Sequence, residues 1–444
     1  MLYRLQNNIF ICCMLVFGFM ACLLNQRAFD LIAASSLLAF VTQMAMLLYF
    51  SKENRTVYSE KALFVVVFIY SLLLGTILMA VSFYYDGDTF MFNKGDAILY
   101  YNDSIRADRV GFLQNMAFIM KKWEFDDWGS FFFDSLLMSI IPDKLFLNFA
   151  YMLCGGISSV LLFRIGRHYM PDAYAFMGAL AFGTSSYLIA FHCTFLKESL
   201  FVTLIICTMY HICRFIHKES PYAAFGAIFF LILLFFFRPA VAAFIIMAFS
   251  LFFAIKMRGS ALSLFMYMAL IVVFFIALGS MMSMADRYSS GGEEKLALSG
   301  NDKAYSGGFN TFVNLFGGFC GPFPTIFTRQ GEPPSAIQPY ASGLTYKLFL
   351  ILPFWTGIYY LLKNKLFELL PIAVFTLVEM LACGMVVASL ELRKVMPHIP
   401  LTYIIAFYGL SKWEETKFLR RVPEPVIYGL AIGILLLWNV IKTT

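Results

Sequence analysis

The chain has 444 residues, of which 61% are hydrophobic and 14% charged, with a mean hydropathy of +0.77 and a formal net charge of +6. A soluble domain needs roughly 25% charged residues to cover its surface, so these proportions exclude a water-soluble fold and make lipid part of the solvent. The positive charge does not mark a nucleic-acid binder, because the basic residues sit in twos and threes at the ends of apolar runs, where they set membrane topology.

Apolar segments of about 17 to 25 residues can cross the hydrocarbon core as helices. In chain order they run over 9–24, 28–50, 62–83, 144–163, 171–193, 199–213, 221–237, 240–255, 260–283, 346–362, 366–390, 395–411 and 424–441, thirteen in all. The first follows Arg4 but has no small-residue cleavage site after it, so it reads as a retained span rather than a signal peptide.

Cytoplasmic loops retain Lys and Arg, which orients the array. With the N-terminus inside, the inner segments hold sixteen basic residues and the short outer segments six. Both long loops, 84–143 and 284–345, then fall outside the cytoplasmic membrane. The predicted architecture is an all-α polytopic protein. Three N-terminal spans (1–83) precede the first extracytoplasmic loop (84–143), six central spans (144–283), the second loop (284–345) and four C-terminal spans (346–444).

The first loop carries Asp86, Asp88, Asp96, Asp103, Asp108, Glu124, Asp126 and Asp127. It also holds an amphipathic stretch, Val110 to Trp123, suited to a helix lying at the membrane interface. Asp96, with Tyr100 and Tyr101 after it, could act as a general base on an acceptor hydroxyl; its plainer reading is a helix start at headgroup level. Lys197 and Glu198 form a charged pair between two apolar runs, which a simple hairpin turn also explains. Arg238, before Pro239, could grip a phosphate bidentately or snorkel to the interface.

The second loop is rich in Gly and Ser at Ser289 to Gly292 and Ser306 to Gly308, carries Arg287 and Arg329, and turns apolar at Phe316 to Phe327 as a re-entrant or interfacial segment. Glu379 lies mid-span, where a carboxyl is either functional or protonated and bonded to a neighbour. Glu391, Arg393 and Lys394 precede Pro397 and Pro400, which would unwind backbone near the outer face. The nine cysteines lie mostly in apolar runs without metal-ligand spacing and read as small core residues.

An acid, several cations and aromatic residues thus gather at one face, as an enzyme acting on a lipid-linked phosphate requires. The order of these features resembles the GT-C glycosyltransferases, in particular the branch of the protein mannosyltransferases and the aminoarabinose transferase. The likeness spans 84 to about 411: Asp96 with Tyr100 and Tyr101, Lys197-Glu198-Ser199-Leu200-Phe201, Arg238-Pro239, and Glu391-x-Arg393 with Pro397 and Pro400. The resemblance implies an inverting transferase that uses a polyprenyl-phosphate sugar donor and a glycan or lipid acceptor. It implies Asp96 as base, Arg238 and Arg393 as phosphate contacts, and Lys197 and Glu198 lining the site. No cofactor is certain, and a divalent metal is possible. Ala97 stands where the family usually has a second acid. Two other readings remain open: an O-antigen or capsule polymerase or ligase, in which Arg287 and Arg329 would matter more, and a flippase or transporter of lipid-linked saccharides, which makes and breaks no bond.

Overall fold

The computed structural model describes residues 31–52, 58–90, 95–256, 346–386 and 395–415, together with positions 318, 319, 321, 343, 426, 429, 430, 432–434 and 437. The expected first and ninth spans, nearly all of the second loop, most of the last span, and Arg287, Arg329, Glu391 and Arg393 lie outside the described residues.

Every regular element among the described residues is helical. In chain order these are α1 (Leu31–Phe50), α2 (Glu60–Asp86), α3 (Asp96–Val110), α4 (Phe112–Lys122), α5 (Trp128–Met138), α6 (Lys144–Arg167), α7 (Asp172–Gly183), α8 (Ser186–Cys193), α9 (Glu198–Ile216), α10 (Ala223–Phe235), α11 (Pro239–Lys256), α12 (Ile351–Lys363), α13 (Leu370–Val386) and α14 (Ile399–Ser411), with short 3-10 turns between some of them. Four of these, α2, α6, α9 and α11, are long and apolar enough to cross a membrane, and α7 with α8 forms a fifth candidate bent by 44°. The chain is a helical membrane protein.

Local chemistry explains the helix ends. Ser59 accepts the Ala62 amide at the start of α2, and Gly87, at φ 72°, closes its end on the Phe83 carbonyl. The Asp143 carboxylate caps α6 at the Leu145 and Phe146 amides, and Arg164 and Arg167 occupy its last turn. The bend in the expected 171–193 span falls at Thr184, whose hydroxyl donates back to the Leu180 carbonyl at 2.7 Å.

The packed helices have chemically distinct ends. At one end, Arg164 holds Glu60 through two bonds of 2.9 and 2.5 Å, Arg167 meets Asp172, Arg214 meets Glu219, and His168 stacks on His217 at 4.4 Å. At the other end lie the first loop, the α8–α9 turn and the α10–α11 turn. α12 and α14 approach so closely that a Cβ on Gly357 or Gly409 would collide with the carbonyl of Ile405 or Pro353. Small residues let membrane helices meet backbone to backbone in this way.

The helix expected within Val110 to Trp123 is α4, which Gly111, at φ 81°, separates from α3; α3, α4 and α5 pack together as a small helical unit. Asn115, Met116 and Ile119 of α4 are buried, and Asn115 donates to the Asp103 carbonyl and the Ser135 hydroxyl, both at 2.9 Å. Half of the amphipathic pattern therefore serves this unit's own core.

Candidate functional site

The turn between α8 and α9 sets the site. Phe195 adopts φ 63°, a left-handed conformation that costs a residue with a Cβ about 1–2 kcal/mol. Its ring is fully buried against Tyr101 at 5.2 Å and near Phe90 and Tyr151, both at 6.5 Å, which offsets that strain. The turn delivers Lys197 and Glu198 to different partners.

Lys197 reaches into the first loop, donating to the Asp127 carboxylate at 2.5 Å and to the Asp126 carbonyl at 3.1 Å. The Tyr100 hydroxyl donates to the same Asp127 oxygen at 2.7 Å. Burial, reinforced by the adjacent Asp127, holds the Tyr100 hydroxyl far above its ordinary pKa. The loop is fixed to α10 beside this contact, where the Gly129 amide donates to the Phe236 carbonyl at 3.1 Å.

Glu198 opens α9 and is only 2% exposed. Arg238 donates to its Oε1 at 3.3 Å, while Oε2 has no hydrogen-bond partner among the described residues. The guanidinium of Arg238 lies 5.0 Å above the Phe201 ring and within electrostatic range of the buried Glu379 of α13. Four of the residues singled out in the sequence, Tyr100, Lys197, Glu198 and Arg238, thus belong to one polar neighbourhood, with Glu379 beside Arg238.

The remaining expected site residues have other surroundings. Asp96 sits in the first turn of α3, one helical turn before Tyr100 and close enough for its charge to be felt at that hydroxyl. Tyr101 faces the aromatic wall, packing on Phe90 and Phe195. Asp103 is buried and bonded to Lys122 at 2.6 Å and to the Trp123 indole at 2.7 Å. Because Trp123 packs edge-on against Tyr100 at 5.1 Å, Asp103 acts on the neighbourhood through that ring. Asp88 accepts the Phe90 amide at 2.9 Å, and the Asp86 side chain lies outside the described residues.

Two features were not singled out from the sequence. Asp127 is one acid among ten in its loop, and the reach of Lys197 and the Tyr100 hydroxyl distinguishes it. Asp134 is fully buried, takes the Tyr151 hydroxyl at 2.5 Å, and has its carboxyl pushed up to about 8 by burial. A lone acid in the apolar run Phe131 to Met138 was the available signal.

Among the described residues no group of three or more His, Cys, Asp or Glu side chains is arranged to hold a metal ion. The two roomier described clefts lie elsewhere: about 480 Å³ beside Glu60 and Arg164, and about 240 Å³ among α9, α10 and α11. The arrangement offers a guanidinium with most of its N–H groups uncommitted to Glu198, a second cation 2.5 Å from an acid, and an unmet carboxylate oxygen. Such a set can bind an anionic group beside a hydroxyl-bearing one. In comparisons with known proteins, the chain matches no family model and no curated protein.

Proposed function

We propose that the chain is a GT-C-type glycosyltransferase that moves a sugar from a polyprenyl-phosphate donor to a glycan or lipid acceptor at the extracytoplasmic face of the cytoplasmic membrane. In this reading it has thirteen spans with a cytoplasmic N-terminus. Asp96 accepts the proton of the acceptor hydroxyl as its oxygen attacks the anomeric carbon. The bond from that carbon to the phosphate oxygen breaks with inversion, and polyprenyl phosphate departs with the electron pair. Arg238 and Lys197 stabilise the charge that develops on the phosphate, with Arg393 as a further contact.

The observation that carries the reading is the meeting of Lys197, Tyr100 and Asp127 beside the Glu198–Arg238 pair. These groups come from the first loop, the α8–α9 turn and the α10–α11 turn, all at one end of the bundle. A passage would be lined by charge at mid-membrane depth, whereas these polar residues gather at one end and Glu379 is the mid-span acid, which supports chemistry near an interface over passage of a saccharide through the membrane.

The test uses purified protein in proteoliposomes with undecaprenyl-phosphate-linked sugars and an acceptor extract, following release of undecaprenyl phosphate. Asp96→Asn should lower turnover by 10²-fold or more, on the order expected for losing a general base. Arg238→Met should reduce it comparably. Undiminished turnover in Asp96→Asn would remove the assigned base.

A further inference from the structure

The first-loop unit leaves a second apolar surface uncovered. Beyond its buried face, α4 exposes Leu113 and Met120, at 79% and 50%. On α5 Phe132 and Leu136, one turn apart on the same face, are 53% and 40% exposed, and Ile140 in the turn just after the helix is 67% exposed. Phe112 packs edge-on against Phe132 at 5.1 Å, so the α4 and α5 surfaces adjoin.

This surface does not end with the loop. It continues through exposed Ile141 to Leu145 and Phe149 at the start of α6, a helix long and apolar enough to span the membrane. Contiguous exposed apolar side chains mark an interaction surface. Cations border it: Arg109 just before α4, Lys121 at its end, and Arg106, whose guanidinium lies 3.7 Å above the Phe118 ring. Lys122 is already paired with Asp103, and the exposed acids Asp108, Glu124 and Asp143 lie along the same stretch, so the three cations form a local cluster on α3 and α4 rather than a net positive border.

We infer that the α4–α5 face docks into the lipid leaflet, with its apolar stripe among the upper acyl chains and Arg106, Arg109 and Lys121 on lipid phosphates. Continuity with the outward face of α6 favours lipid over a protein partner, because the exposed apolar residues lead, across the Pro142-Asp143 turn, onto a helix long and apolar enough to cross the membrane. The unit then has lipid on one side and, through Asp127 and Gly129, the helical bundle on the other. This inference is independent of any transferase activity.

The test places a nitroxide label on Leu113→Cys, Leu136→Cys or Ile140→Cys, in full-length protein whose other cysteines are replaced. The protein is reconstituted in vesicles containing phosphatidylglycerol. Collisions with oxygen should exceed those with a water-soluble nickel chelate at all three positions, and the reverse should hold at a Glu124→Cys reference. Greater chelate access at the three positions would overturn the inference. So would low access to both reagents, which would mean a second copy or another protein covers the face. Reversing Arg109→Glu and Lys121→Glu together should lower the oxygen preference at position 113, and an unchanged value would overturn the role given to lipid phosphate.

Discussion

Lys197 and Asp127 are 12% and 16% exposed and stand 2.5 Å apart, so each depends on the other: removing one partner of this part-buried pair should cost about 1–3 kcal/mol, below the roughly 3–5 kcal/mol of a fully buried one. Glu198, Arg238 and Glu379 were legible in the sequence because a charge inside an apolar run must be explained. Asp127 was not, since ten acids in one loop look alike until Lys197 and Tyr100 select one. Asp134 makes a sharper residue-scale case. Its carboxyl is held at about 8 by burial, against about 4 in an unfolded chain. Between these values the native state keeps a proton that the unfolded state has lost, so stability falls as pH rises from about 4 to about 8, by at most ~1.4 kcal/mol per pH unit, and levels off above. Asp134→Asn removes the titration and keeps an acceptor for the Tyr151 hydroxyl. Thermal unfolding should show the wild type losing stability between about pH 5 and about pH 8, and the variant losing less. Parallel profiles would contradict the buried, protonated carboxyl.

At the scale of elements, the apolar runs located the long helices well, because burial of backbone groups in lipid leaves the helix as the only open-chain solution. Helix breaks were harder to read. The α7–α8 bend sits in Gly183-Thr184-Ser185-Ser186, small polar residues whose back-bonding competes with the helix, inside a run apolar enough to look continuous. In the first loop α3 and α4 were signalled, by the helix start at Asp96 and the amphipathic stretch from Val110, whereas α5 was not, and the pattern of α4 serves two surfaces, one buried within the unit and one exposed. Its attachment to α10 depends on Gly129, where a Cβ would overlap the Phe237 ring and stand 3.1 Å from the Phe236 carbonyl. Gly129→Ala should therefore destabilise the protein by about 1–3 kcal/mol, as overpacking of a tight contact does, seen as a lower melting temperature. An unchanged melting temperature would mean that Phe237 yields freely and the attachment is loose.

For the whole molecule, alternation of the helices sorts its polar residues into two groups. One end carries surface ion pairs such as Arg167–Asp172, 48% and 50% exposed, which contribute little to stability. The other brings distant parts of the chain to a shielded cluster of acids, cations and aromatic rings. The proposed transferase depends on that second end acting on a lipid-linked sugar by breaking a bond. The most direct measurement follows a donor labelled in both sugar and lipid, in sealed proteoliposomes supplied with acceptor. The account predicts that the sugar label leaves the lipid while the lipid label is recovered as polyprenyl phosphate. Recovery of the intact donor on the opposite leaflet would contradict it.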